Sequence, residues 1–400
     1  MLHTDELDYF LPSDLIARTP AHPRDHSRLL VYRRSTESIE HLLFSDLPDI
    51  LNPGDLLIAN DTRVLPAKLS LTKETGGMIT GLFIAEISPG KWRVMLRTRG
   101  RARPGIYLTA KIINSPEVIR LKLLERDAEK GQWIVEVSDP RPAVEVLARI
   151  GQVPLPPYIE KARTLEQQRT NADQAPAVRS EALEGIKPQA TIKTQRHAPA
   201  ADRPTQTAEQ YAHDAESYQT IYAQAAGALA APTAGLHFTP EVFARLTQRR
   251  IDRTWVTLHV GLGTFLPVEA ATLDQHPMHQ ESFFIPRGTV EKIRHQRSTR
   301  NRIVLVGTTT VRTLETMAQG ILDPTVPAQD FTGTTNLLIQ PGYTFNITDA
   351  LITNFHLPRS TLLALVAALV SLDRLKDIYQ QAIAHRYRFY SFGDAMLILP

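Results

Sequence analysis

Six short polar stretches, each beside an apolar run, carry side chains suited to moving protons and holding anions. They are NDTRV (60–64), APTAGLHF (231–238), LHVGLGTF (258–265), VGTTTVRTLE (306–315), NFHLPRST (354–361) and HRYRFYSFGDAM (385–396). With Glu281 from the nearby HPMHQE, they make Asp61, His237, His259, His356, Glu281 and Asp394 candidate proton donors and acceptors, imidazole being nearest to neutral pH. Arg63, Arg312, Arg359, Arg386 and Arg388 can hold a carboxylate or phosphate with paired hydrogen bonds. Tyr387, Phe389, Tyr390 and Phe392 interleave with arginines, which suits base stacking and core packing equally. In three stretches the polar group directly follows a strand-like run: LLIA then NDTR, IVLV then GTTT, ALIT then NFH. Open α/β sheets bind ligands at the carboxyl ends of their strands, so these groups are expected to converge on one crevice. The residues by themselves describe an acid–base enzyme acting on an anionic, nucleotide-like substrate.

Other chemistries fall away. The 400 residues include no cysteine, which removes disulfide scaffolds, thiolate metal centres and cysteine nucleophiles. No GxxxxGK[ST] loop or GxSxG elbow occurs. Gly261-Leu-Gly263 fails as a dinucleotide fingerprint, because its third small residue would be Leu266 and Pro267 would interrupt the helix. A tight turn with backbone close to a ligand or another segment remains. HPMHQE brings His276, His279 and Glu281 close together, but without HExxH or a cysteine no metal site is expected. Lys and Arg number 45 against 42 Asp and Glu, a balance that permits nucleic-acid binding without requiring it.

These groups need a frame. At 42% hydrophobic and 22% charged residues the chain is a soluble, globular type with material for a large core. The first residues carry acids and no long apolar run, unlike a signal peptide, and the apolar run at 361–372 is too short to span a bilayer. A soluble cytoplasmic protein with no membrane association is expected. A short helix is expected at 12–18, with strands at 28–32 and 55–59. Residues 67–137 then hold five short alternating runs separated by Pro-Gly and Gly turns, which indicates a small antiparallel barrel. Helices are expected at 143–150, 215–226, 240–249 (capped by Thr239), 290–296, 311–319, 360–372 and 375–385. Strands are expected at 254–260, 303–307, 337–339 and 351–353. Alternating strands and helices argue an α/β, barrel-like core with much parallel sheet. The expected organisation is a catalytic core over 1–65 and 143–400, with the antiparallel β-barrel domain inserted at 66–142. Residues 162–212, rich in Ala, Gln, Thr, Pro and charge, are expected to form a disordered insertion within the core.

The same stretches closely resemble the S-adenosylmethionine:tRNA ribosyltransferase-isomerase family of queuosine biosynthesis. The resemblance runs nearly end to end, through LPSDLIARTPAHPRDHSRLLVY, LNPGDLLIANDTRVLPAKL, PLPPYI, YQTIYA, AAPTAGLHFTPE, VTLHVGLGTF, MHQE, VGTTTVRTLE, ALITNFHLPRSTLL and YRFYSFGDAMLI, in the family's order. Departures are the long insertion after PLPPYI, Ser217 where the family usually carries Arg, and Leu266 where Arg commonly follows GTF.

The resemblance implies ribosyl transfer from S-adenosylmethionine, as co-substrate, to 7-aminomethyl-7-deazaguanine at the wobble position of tRNA. Epoxyqueuosine forms and adenine and methionine leave, without a metal or prosthetic group. The sulfonium acidifies the 5′ hydrogens, so a positioned base can start the ring opening, and a second base keeps the attacking amine unprotonated. His237, His259 or Glu281 is then expected to abstract the proton, with Asp61 and Arg63 at the polar ends of the co-substrate. Asn60, Thr233, Gly235, Gly261, Gly263, Thr308, Thr309 and Arg312 are expected to line its site. Asn354, His356 and Arg359 would face the modified base or adenine, and Arg386, Arg388 and Asp394 the anticodon. No obligate protein partner is expected, and a monomer is favoured. Two rivals remain. An S-adenosylmethionine-dependent RNA methyltransferase would need a glycine-rich loop that this chain lacks. A non-catalytic RNA-binding protein would not need so many buried-looking polar clusters.

Overall fold

The computed structural model describes residues 2–97, 102–127, 131–159, 208–261, 263 and 268–400. The chain opens with β1 (Arg28–Arg33), β2 (Ser38–Leu43), α1 (Leu47–Ile50), β3 (Leu56–Asn60) and β4 (Thr62–Val64). β5 (Lys68–Lys73), β6 (Met78–Ser88), β7 (Lys91–Arg97), β8 (Tyr107–Lys111), β9 (Val118–Asp127) and β10 (Gln132–Val137) follow. Next come α2 (Ala143–Ile150), β11 (Gly151–Gln152), α3 (Ala208–Ser217), β12 (Ala225–Ala228), α4 (Pro240–Gln248) and β13 (Asp252–Leu258). β14 (Glu281–Ile285), α5 (Arg287–Thr299), β15 (Ile303–Val306), α6 (Thr308–Thr316) and α7 (Ala318–Leu322) come after it. β16 (Phe331–Thr335), β17 (Ala350–Asn354), α8 (Thr361–Val370), α9 (Leu372–Ala384) and β18 (Ala395–Leu399) complete the order.

Two modules emerge, as the sequence pattern predicts. β5 to β10 alternate buried and exposed side chains, and one face of each strand fills an interior that holds Trp92, Leu121 and Val135. β5 pairs with both β6 and β8, so the six antiparallel strands close on themselves. α2, assigned above to the core, turns Val146, Leu147 and Ile150 into this interior, and β11 pairs with β5. The barrel's packing therefore extends past residue 142.

The α/β core is a nine-stranded mixed sheet in the order β16-β14-β13-β3-β15-β17-β18-β1-β2. β13, β3, β15 and β17 run parallel to one another, and β3, β15 and β17 are buried at every residue, as sheets covered on both faces require. β18 lies antiparallel to β17 and parallel to β1. α8 buries most of its surface in the largest apolar cluster, with Ser360 accepting from the Leu363 N–H as N-cap. Thr239 caps α4 in the same way.

Four expectations change. The helix expected at 12–18 is a single 3₁₀ turn, Ser13–Leu15, because Ile16 bridges to Phe389 instead. The helix expected at 215–226 ends at Ser217, and Ala225–Ala228 pairs as a strand with β4. Residues 337–339 are not a strand; β16 occupies Phe331–Thr335, and the Leu337 carbonyl serves Arg312. Of the insertion expected at 162–212, residues 162–207 lie outside the described residues, and 208–212 begin α3.

Candidate active site at the carboxyl edge of the sheet

Register brings most of the predicted polar groups to one edge. Val256 is level with Asn60, Val306 with Ala59 and Ile352, and Asn354 with Ala395. The chain beyond β13, β3, β15 and β17 therefore supplies His259, Asp61, Thr308 and Phe355 side by side. β14 and β18 run the opposite way, so Glu281 at the start of β14 and Asp394 just before β18 lie at this edge too.

Asn60 is fully buried and pins the frame. Its amide donates to the Leu258 carbonyl at 3.0 Å and Thr309 Oγ1 at 3.2 Å, and its Oδ1 accepts from Leu258 N and Thr62 N. Asp61 follows directly. Thr257 Oγ1 donates to its Oδ1 at 2.6 Å, and no described residue donates to its Oδ2. Burial pushes the Asp61 carboxyl above its ordinary value, against the pull of Thr257 and His259. Thr62 Oγ1 lies 2.8 Å from His259 Nδ1 and 3.4 Å from the Ala225 carbonyl. Burial pushes His259 below its ordinary value, and the Asp61 charge opposes the shift. His259 can approach the β12 backbone this closely because residue 227 is glycine: a Cβ there would lie 2.7 Å from the ring.

Glu281 and Arg312 form a buried ion pair. Arg312 Nη1 meets Glu281 Oε2 at 2.5 Å, its Nε donates to Leu337 O, and the Gly261 N–H donates to Glu281 Oε1 at 3.1 Å. Arg312 Nη2 is buried without a partner among the described residues. Gly263 lies against His279, where a Cβ would meet the ring at 2.6 Å. α6 begins beside the pinned Asn60. Gly307 holds φ at +85°, a conformation that glycine adopts without strain. Val311 N–H is the first helical amide to find a backbone acceptor, on Gly307 O, so the amides of Thr308, Thr309 and Thr310 form an anion-favouring helix start.

His237 has no nitrogen to spare. Asn354 Nδ2 donates to the Tyr390 carbonyl, which can only accept, so the same NH₂ donates to His237 Nε2 at 3.2 Å. His237 Nδ1 therefore carries the hydrogen and donates to Ser27 Oγ at 2.7 Å. Its ring stacks on Phe44, and burial lowers its pKa to about 4. The unfolded imidazole titrates near 6.5, so the folded state binds fewer protons between these values. Stability is full above pH 6.5 and is lost as pH falls toward 4, by about 3 kcal/mol from this residue. Urea unfolding at pH 7 and pH 4.5 should show the loss, and a His237→Asn variant should make it shallower by the His237 share, leaving that of the equally buried His356. An equally steep loss in that variant would contradict the assignment.

The remaining predicted residues divide. Thr233 and Gly235 lie in a 3₁₀ turn that ends at His237, and a Cβ at Gly235 would meet Tyr222 Oη at 2.0 Å, so that glycine serves packing. His356 bonds Thr353 Oγ1 at 2.8 Å, and burial lowers it to about 4. Asp394 is buried between Arg28 and Arg388. Arg63 is exposed and donates to the Ala223 carbonyl. Arg359 and Arg386 turn away from the cluster, paired with Asp5 and Asp14 on the surface. Ser217 is buried, 3.4 Å from His213, and Leu266 lies outside the described residues. Among the described residues no cluster of three or more His, Asp or Glu could hold a metal, and no helix is long and apolar enough to cross a membrane.

Residues the polar stretches did not single out are Thr62, Thr257, Ser27 and Gly227. Thr257 and His259 stand two apart on an extended segment, so a period-of-two reading of VTLH would have placed both on the face of Asp61.

The chain as a whole is similar to known proteins. A family model described as "Queuosine biosynthesis protein" matches residues 4–398. The chain belongs to this queuosine biosynthesis family. A Nostoc relative named S-adenosylmethionine:tRNA ribosyltransferase-isomerase is 41% identical, over 98% of this chain and 91% of its own length. One of the same name from Thermotoga maritima is 40% identical, with both chains fully covered. A crystal structure of S-adenosylmethionine tRNA ribosyltransferase from Thermotoga maritima aligns at 33% identity, over 98% of this chain and all of that one, with a TM-score of 0.49. For this family S-adenosylmethionine is a co-substrate, and the chain is a transferase–isomerase enzyme.

Proposed function

We propose that this chain transfers and isomerises the ribosyl moiety of S-adenosylmethionine onto 7-aminomethyl-7-deazaguanine at the wobble position of tRNA, releasing adenine and methionine. The observation that carries the reading is the pair at the ends of β3 and β13. A carboxyl raised by burial and an imidazole lowered by burial stand together, each with one polar atom held by a threonine. The opposed shifts bring the two titrations closer together and leave His259 an uncharged imidazole at neutral pH, so the pair can take up protons from a substrate.

His259 takes the proton from the 5′ carbon. Of the three candidates it keeps a nitrogen, Nε2, without a partner among the described residues, whereas His237 and Glu281 have theirs engaged. Asp61 Oδ2 is open to the attacking amine and accepts its proton. Asn354 Oδ1, buried without a partner among the described residues, is an acceptor for a base N–H. The helix start at Thr308–Thr310 suits the methionine carboxylate or a phosphate. Arg386, Arg388 and Asp394 belong to the anticodon side, with Asp394 setting the two strands that carry it.

Thr257 should matter through Asp61. Thr257→Val removes the donor that favours the carboxylate, so the acid limb of kcat should move to higher pH and the rate fall about tenfold at neutral pH. Thr257→Ser should restore both, and an unmoved pH profile would separate Thr257 from the chemistry. The reading as a whole is tested by incubating the protein with S-adenosylmethionine and an anticodon stem–loop bearing 7-aminomethyl-7-deazaguanine. Adenine and methionine released together are expected; S-adenosylhomocysteine would mean methyl transfer.

A further inference from the structure

The same sheet edge carries a second polar cleft, four strands from Asp61. Leu29 lies level with Ala395, and β2 returns beside β1 with Leu43 opposite Arg28. Between these strands and the turn after α9 is a cleft of about 360 Å³ lined by Arg28, His41, Leu43, Asp46, His385 and Tyr387. The His41 and His385 rings stack with centroids 4.3 Å apart. His385 Nδ1 faces the Gln381 carbonyl at 3.0 Å and so carries the hydrogen, and His41 Nδ1 bonds Tyr387 Oη at 2.8 Å. Neither Nε2 has a partner among the described residues, and both side chains are exposed.

The charged groups around the two rings leave room for an anion. Arg28 stacks on Tyr387 at 4.0 Å and donates to the His385 carbonyl. Arg28 and Arg388 share the single carboxylate of Asp394, so two guanidiniums face one acid. Arg386 is paired with Asp14, and the Asp46 carboxylate already accepts from the Leu43 N–H at 3.0 Å. Stacked imidazoles repel when both are charged, and an anion bridging them removes that cost. Burial, His385 and Arg28 hold His41 below its ordinary value when no anion is bound.

We propose that this cleft is a phosphate subsite for the RNA backbone, with a phosphodiester oxygen bridging His41 Nε2 and His385 Nε2 while the reacting nucleoside lies at Asp61 and His259. The proposal rests on the reading of RNA as substrate. The spacing suits it: β3 to β1 is four strand separations, roughly 19 Å, the rise of about five or six stacked nucleotides at 3.4 Å each.

Two measurements decide. In NMR titrations of the wild type, inorganic phosphate should raise the midpoints of His41 and His385, because an anion favours the charged ring. In binding assays with an unmodified anticodon stem–loop, the His41→Ala/His385→Ala variant should bind about tenfold more weakly, and its log–log salt slope should shrink by about one. His41→Lys in the His385→Ala background should restore the slope, which a merely structural role would not. Unmoved midpoints with an unchanged slope would overturn the proposal. Both effects together with a wild type that never releases adenine and methionine would keep this subsite and remove the ribosyl-transfer reading.

Discussion

Asp61→Asn is expected to lower kcat on the stem–loop substrate by about 10²- to 10⁴-fold, the range for losing one positioned acid or base. The amide keeps the size of the side chain and still accepts from Thr257 through its oxygen, so the backbone anchors of this residue, Asp61 N to Val256 O and Gln224 N to Asp61 O, are unaffected. What the variant cannot do is take a proton. The melting temperature should therefore stay near that of the wild type while turnover collapses. A rate unchanged by Asp61→Asn would remove Asp61 from the chemistry and leave its raised carboxyl a consequence of burial alone.

The second large effect is on stability. Arg312→Ala should cost about 3–5 kcal/mol, the range for breaking a buried ion pair by deleting one partner. Glu281 would stay buried with only the Gly261 N–H for company, and the Leu337 carbonyl would lose its donor. Denaturant unfolding would measure the loss. Replacing both residues by apolar ones of similar volume should cost much less, since neither charge is then stranded. If Arg312→Ala unfolded at the wild-type midpoint while turnover fell, the arginine would have to be held for a ligand, a role its unpartnered Nη2 would suit.

The sequence made some of this legible and hid the rest for physical reasons. The inserted barrel was visible because β5 to β10 each expose one face, so alternation survives in the residues. The parallel strands were visible as unbroken apolar runs, and the polar residues just past them announced the edge on which Asp61, His259 and Asn354 meet. The helix expected over 215–226 overlaps the start of Ala225–Ala228 because alanines favour a helix locally; pairing with β4 and the close approach of His259 to Gly227 override that preference. β16 went unrecognised because FTGTT carries little apolar signal, and its partner β14 lies about fifty residues away in the chain. Which imidazole is free could not be read from residue types. His237 and His259 look alike in sequence, and only Ser27 and Asn354, brought in from distant segments, engage both nitrogens of the first.

The central claim is that the ribosyl carbons of S-adenosylmethionine, and not its methyl group, end on the RNA. Parallel reactions with co-substrate labelled in the ribose or in the methyl group, on the stem–loop bearing 7-aminomethyl-7-deazaguanine, test it directly. The account predicts ribose label fixed in the RNA, with the methyl label leaving in free methionine. Methyl label on the RNA, with the ribose label leaving in S-adenosylhomocysteine, would contradict it.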